Sequence, residues 1–311
     1  MKRGGEPLTR RQKRERRNRR RCLAAGAVLI FGLIGLGIWR LNVGLASSSG
    51  SAAASLQTKT AISQTATTQT AAKISTNPAG DQILAKMPAE LSALNQKLGL
   101  TNTTVEVAAV DLSGGGRSFS YNAAKQITSA STYKLFVAAA EISSVESGQM
   151  TWNSGLDGTT LSNCFDKMIL KSDNNCPKAW LKNYGYQNLT KFARGLGASD
   201  QTAFAADNMR TDAADLALIL TKIYNGQIGG SADTAKLLTD MKRQIYRRGI
   251  PTGLKSSAVA ADKVGFLDGF LHDAAIVYPT DGRNYVLVIM TNNASWNYIA
   301  QLSSWIQHQM A

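Results

Sequence analysis

Apolar positions recur at helix or strand spacing from about residue 81 to the end of the chain. Over residues 81–98, Ile83, Leu84, Met87, Leu91 and Leu94 fall at helical intervals and predict an amphipathic helix. "TVEVAAVDL" then alternates as a strand, "SGGGR" makes a glycine turn, and "SFSYNA" reads as a second strand. From Lys134, the run Leu135-Phe136-Val137, three alanines and Ile142 predict a buried helix. Residues 160–226 read as successive helices, the most periodic being "TDAADLALILTKIYNG". After the helical "SADTAKLLTDMKRQIYR" come three strand candidates, "AVAADKVGF", "HDAAIVYP" and "NYVLVIMTN", with turn signals at Gly269 and Asp281-Gly282. "SWNYIAQLSSWIQHQM" is a last helix. Strands from both ends of the segment suit one antiparallel sheet covered by the terminal helices. The helices between them form an inserted lobe, so the expectation is an α/β (α+β) domain over residues 81–311 with a cleft between sheet and lobe.

The first 80 residues follow none of these patterns. Residues 2–21 carry eleven Lys or Arg against Glu6 and Glu15, which accounts for nine of the formal net charge of +14. The remaining chain is only mildly basic, so the charge gives no argument for a nucleic-acid partner. Residues 22–39, "CLAAGAVLIFGLIGLGIW", contain no charge and would span roughly 27 Å as a helix, close to a bilayer's hydrocarbon thickness. Trp39 stands at the far border and the basic block precedes the run, which predicts a single-pass anchor with a cytoplasmic tail at 1–21. A cleaved signal peptide is the alternative, although no clear small-x-small site follows. Residues 40–80, rich in Ala, Ser and Thr, bury too little apolar surface to offset their ordering entropy, and read as a flexible tether. The domain is therefore expected at the cell membrane, on its extracytoplasmic side.

Beyond the anchor there are two cysteines, Cys164 and Cys176, which in an exported domain make a disulfide candidate; two unrelated buried thiols are the alternative. The chain has two histidines, His272 and His308, neither near the cysteines in sequence, so no metal or other cofactor is expected. A monomer is expected.

Candidate chemistry begins at "TSASTYKLF", where Ser131 stands one helical turn before Lys134 at the mouth of an apolar helix. The structural reading is that Ser131 caps the helix and Lys134 snorkels outward. Read alone, Ser172-Asp173-Asn174 is an ordinary turn, and Lys263-Val264-Gly265 an ordinary strand segment. Together and in this order they match S-x-x-K, S-D-N and K-T-G, and residues 81–311 resemble the penicillin-recognising serine hydrolases: class A β-lactamases and penicillin-binding proteins. The resemblance implies a β-lactamase/transpeptidase-like fold, with a five-stranded antiparallel sheet and an all-helical inserted lobe.

It also implies roles. Ser131 would be the nucleophile, Lys134 its base through burial and the nearby Lys263 cation, and Ser172 the donor of a proton to the leaving nitrogen. Asn174 would bond the substrate amide and orient Lys134; Lys263 would attract the substrate carboxylate. The backbone N–H groups of Ser131 and Phe266, beside Gly265, would form the oxyanion hole. β-Lactams or D-alanyl peptides would be the substrates.

Two departures stand out. Val264 replaces the usual threonine of the third motif, removing a hydroxyl expected to meet the substrate carboxylate. Class A lactamases use a glutamate after S-D-N to activate the deacylating water, yet no glutamate follows Glu146; "ASDQTAFAADNM" offers Asp200 and Asp207, with Asp207 the candidate substitute. Slow deacylation is therefore expected. His272 and Asp273 are expected at the cleft edge or in a structural role, and Arg247 and Arg248 as solvated surface charge or as positive potential for a carboxylate-bearing ligand. The competing reading is a catalytically silent domain that binds wall peptide or an envelope protein.

Overall fold

The computed structural model describes residues 77–254 and 256–311. The predicted tail, anchor and most of the tether lie outside these residues. Among the described residues, no helix is long and apolar enough to cross a membrane.

Helix α1 (Pro78–Leu98) begins inside the segment read as tether, because Asn77 caps it: the Asn77 Oδ1 accepts from Ala79 N and Gly80 N, both at 3.2 Å, and Pro78 sits where a missing N–H costs nothing. The chain then runs β1 (Thr104–Asp111), β2 (Phe119–Tyr121), β3 (Ile127–Thr128), a 3₁₀ turn (Ala130–Tyr133) and α2 (Lys134–Glu146). The lobe follows, with β4 (Gly155–Leu156), β5 (Thr159–Thr160), α3 (Leu161–Leu170), α4 (Asn175–Tyr184), α5 (Tyr186–Gly195), β6 (Ala203–Ala205), β7 (Asn208–Thr211), α6 (Ala213–Tyr224) and α7 (Ser231–Arg243). Short α8 (Ile250–Leu254) leads to β8 (Ala258–Leu267), β9 (Phe270–Pro279), β10 (Tyr285–Asn292) and α9 (Trp296–Met310).

The sheet is antiparallel with order β2-β1-β10-β9-β8, joining strands from both ends of the domain as the pattern implied. Its central strands are buried on both faces, which is why β10 reads as a continuous apolar run rather than an alternation. On one face Val107, Ala109, Leu287 and Ile289 pack with Met87, Leu91 and Leu302 of the terminal helices. On the other, Ala108, Val288 and Ile276 pack with Phe136, Ile142 and Leu220 of the lobe. Asp268 and Gly269, both at positive φ, make the two-residue turn that fixes the β8–β9 register.

The lobe is not all-helical. β6 and β7 form a hairpin whose β7 also pairs with β3, Thr128 opposite Arg210. Four or fewer residues per strand leave too short a window for alternation to register in the sequence. This small sheet and β8 together position the segment that carries Ser131: the 3₁₀ turn packs against β7, β8 and β9.

Candidate active site

Ser131 does not open the α-helix. It lies in the 3₁₀ turn, and the α-helix starts at Lys134. Before it, Ala130 has φ +45°, a left-handed conformation that a side-chain-bearing residue keeps only under constraint. The constraints are visible. Ser129 N donates to Met209 O at 2.9 Å, and Thr132 Oγ1 donates to Ser129 O at 2.6 Å. His272 Nδ1 accepts from Thr291 N at 3.2 Å, so Nε2 carries the proton and donates to Thr128 O at 2.7 Å. β8 approaches so closely that a Cβ on Gly265 would lie 2.9 Å from Ser131 N, which explains the glycine.

Lys134 is fully buried, as its apolar helix requires, and its Nζ meets four groups. Ser172 O lies at 2.7 Å, Asn174 Oδ1 at 2.8 Å, Ser131 Oγ at 3.1 Å and Ser172 Oγ at 3.2 Å. The carbonyl and the amide oxygen accept only, so they take two N–H bonds. In the neutral amine, the remaining lone pair is available to the Ser131 hydroxyl. Burial lowers the Lys134 pKa to about 7; Asp173 opposes this and Lys178 adds to it. Burial is the largest cause of the Lys134 shift, and the repulsion between the two neighbouring amines adds to the depression of the pair.

Ser172, also at positive φ (+55°), sits in the turn between α3 and α4. Asp173 holds that turn, its Oδ1 accepting from Asn175 N and Cys176 N, each at 2.9 Å. The Cys164–Cys176 disulfide ties α3 to α4 around it, with Cα atoms 5.2 Å apart. Lys263 Nζ donates to Ser172 Oγ and to Val264 O, both at 2.9 Å. It is fully buried, and burial followed by the charge of Lys134 pushes its pKa well below the lysine range, against the pull of Asp262 and Asp273.

The fold thus brings Ser131, Lys134, Ser172, Asn174 and Lys263 into one hydrogen-bonded cluster, with Gly265 and Phe266 on the strand beside it. Other expectations need correcting. Val264, next to Lys263 on β8, is completely buried. Asp207 is exposed in the turn between β6 and β7, three residues and about 10 Å of strand beyond Arg210, the partner of Thr128. Asp200 is solvent-exposed and paired with Arg194 at 3.0 Å. His272 is buried rather than at the cleft edge, and burial lowers its pKa to about 4.

Arg247 is not surface charge. It forms an ion pair with the buried Asp262, and its Nη2 donates to Ala260 O at 3.1 Å. Asp273 accepts from Ile250 N at 2.8 Å. These carboxylates lie behind Lys263; the sequence signal for them was the Asp preceding the third motif and the Asp following His272. Missed altogether was an aromatic cluster at the β8 edge. Phe266, 46% exposed, packs against Tyr246 and Trp296 with ring centroids at 5.3 and 6.3 Å, and the three line a cavity of about 190 Å³ with Arg248.

Residues 89–308 match the model of the beta-lactamase enzyme family. The chain belongs to that family. The fold also recurs in solved structures. A variant of PBP-A in an acyl-enzyme complex with penicillin G shares 21% identity over 71% of this chain and 96% of that one, with a TM-score of 0.64. A beta-lactamase from Desulfarculus baarsii shares 19% over 73% and 98%, also at 0.64. The last common ancestor of the Gram-negative class A beta-lactamases shares 20% over 73% and 100%, again at 0.64. No curated protein matches the chain in sequence. The chain is thus a serine hydrolase of the beta-lactamase type in family and in fold.

Proposed function

We propose that this family member is a membrane-anchored, extracytoplasmic enzyme that is acylated on Ser131 by β-lactams or D-alanyl cell-wall peptides and releases the acyl group slowly. The observation that carries the reading is the Lys134 amine. It is buried, has a pKa near neutrality, and has two bonds fixed by obligate acceptors and a third contact on the Ser131 hydroxyl.

The reaction follows from this arrangement. Ser131 Oγ attacks the substrate carbonyl carbon while its proton passes to Lys134 Nζ. The oxyanion is held by backbone N–H groups of Ser131 and Phe266. Ser172 then gives its proton to the leaving nitrogen as the C–N bond breaks, and Lys134 returns a proton to Ser172 Oγ, 3.2 Å away. The net transfer is one proton from Ser131 to the leaving amine, with Lys134 neutral again. The Lys263 ammonium, when protonated, supplies the charge for a substrate carboxylate.

Hydrolysis of the resulting ester needs a base for water. Asp207 and Asp200 are both solvent-facing, which supports slow deacylation. The extracytoplasmic location rests on the charge and hydropathy of residues 1–39 and agrees with the disulfide. A fluorescent penicillin incubated with the full chain should add once, on the peptide that contains Ser131. Lys134→Ala should slow labelling by about 10²–10⁴-fold, the usual contribution of general-base help. Fast multiple turnover would refute the slow step, and absence of labelling at high penicillin would favour the silent binding domain.

A further inference from the structure

Four large apolar side chains are exposed among the described residues. Three of them, Ile245, Phe266 and Leu267, fall on two segments that the Tyr246–Phe266 ring contact brings together. Exposed apolar surface gathered in one place marks a binding contact. Trp296, at the start of α9, packs on Phe266 as well, and with Arg248 the three rings line the cavity of about 190 Å³. An apolar cavity of about 150 Å³ is enough to hold benzene, so one six-membered ring fits.

The cavity adjoins the reaction centre. β8 is an outermost strand of its sheet, and its outward carbonyls are capped in turn: Ala260 O by Arg247 Nη2 at 3.1 Å, Asp262 O by Gln244 Nε2 at 3.1 Å, and Val264 O by Lys263 Nζ at 2.9 Å. Phe266 is the next residue on that row. Its neighbour Gly265 is the residue that lies against Ser131 N. Phe266 thus gives its N–H to the proposed oxyanion and its ring to the cavity. Lys263 and Phe266 are three residues apart, so their side chains leave β8 on opposite faces. Arg248 is therefore a second cation, separate from the ammonium that meets the substrate carboxylate in the reaction proposed above. It is exposed and has no ion pair among the described residues.

We propose that this cavity binds an aromatic carboxylate and serves as a subsite of the cleft. Three aromatic walls favour a ring through stacked and edge contacts. The same walls would suit a cation, but the Arg248 guanidinium repels one and attracts an anion. The ring would enter among Tyr246, Phe266 and Trp296, with its carboxylate at the mouth, where Arg248 meets solvent. The ligand chemistry stands on the cavity alone, whereas its part in the reaction rests on acylation at Ser131. A ring seated on Phe266 would crowd the oxyanion position, so a free aromatic carboxylate should compete with penicillin.

Calorimetric titration of the full chain with benzoate tests the cavity. Benzoate should bind saturably and more tightly than cyclohexanecarboxylate, which has the charge without the aromatic face. Arg248→Gln should weaken benzoate by about two- to fivefold, the range for an exposed charge pair, and leave the neutral isostere benzamide unchanged. Trp296→Ala should weaken benzoate and benzamide alike, by about two- to tenfold. Arg248 is exposed, so its variant keeps the test intact if Trp296→Ala fails to fold. Benzoate should also raise the penicillin concentration needed for half-maximal labelling while leaving the maximal rate unchanged. Absence of saturable heat with benzoate would overturn the proposal, as would binding that both variants leave unchanged, which would place benzoate at Lys263. Benzoate binding without any effect on labelling would make the cavity a separate site and overturn its role as a subsite. A chain that penicillin does not label at all would refute the acylation reading, and the heats would still decide the cavity.

Discussion

If Lys134 is the base, the rate of acylation must follow its neutral fraction. With a pKa of about 7, roughly a tenth of the amine is neutral at pH 6 and about nine-tenths at pH 8. The rate constant for penicillin attachment, measured under single-turnover conditions, should therefore rise about tenfold between those pH values and then level off. Lys263 is depressed as well, and the two amines interact, so one limb alone does not say which group titrates. Their neighbours differ, which separates them. Asp173 raises and Lys178 lowers the Lys134 pKa, whereas Asp262 and Asp273 act on Lys263. Asp173→Asn should move the limb to lower pH and Lys178→Gln should move it to higher pH. Lys178 is exposed, and an exposed pair is worth about 0.2–1 kcal/mol, so its shift should be about 0.1–0.7 pH unit. Asn at position 173 retains an oxygen to cap α4, so the turn should persist. A limb near pH 10, or both variants shifting it in the same direction, would refute Lys134 as the base.

Three further outcomes are expected. The folded-state pKa of Lys134 lies below its unfolded value, so the unfolded chain binds the proton first on acidification. The burden is full below about pH 7 and fades as pH rises toward 10.5, and Lys134→Met should accordingly raise the Tm most at or below neutral pH while slowing labelling as Lys134→Ala does. His272 obeys the same sign: its folded pKa is about 4 against an ordinary 6.5, so it withdraws up to about 3 kcal/mol of stability as pH falls through that window. His272→Gln should flatten this part of the acid unfolding curve, and the Tm measured from pH 4 to 7 tests it. Replacing Cys164 and Cys176 by serine should cost about 3 kcal/mol in denaturant unfolding, the cost of reopening a short loop, with labelling slowed because the Ser172 turn loosens.

What could be read from the sequence was local. The Ser131–Lys134 step is one helical turn, and strands from both ends of the domain carried the sheet in their apolar runs and turn residues. What could not be read depends on register. His272 meets Thr128 across 144 residues, and Arg247 meets Asp262 across 15, because β8 and β9 lie where they do. The sequence shows a histidine and two arginines but not what they face. The helix start at Pro78 is hidden because Asn77 and Pro78 end a polar stretch of uniform composition.

The same burial that suits Lys134 to acylation works against deacylation. Its two fixed acceptors, Ser172 O and Asn174 Oδ1, leave a single position on the neutral amine, shared between Ser131 Oγ at 3.1 Å and Ser172 Oγ at 3.2 Å. Once Ser131 is esterified, its oxygen has no proton to give, and the amine's lone pair is aimed at the ester oxygen rather than at the carbonyl face where water must arrive. A second base on the other side of the ester would relieve this. The hairpin β6–β7 carries Asp207 away to solvent at its turn while β7 pins Thr128 through Arg210. On the proposed reaction, the hairpin that holds the nucleophile's segment in its left-handed turn would thus be the element that leaves the acyl group unattended. A faster hydrolase would require a carboxylate on β7 itself, close to the residues that pair with β3, rather than at its tip.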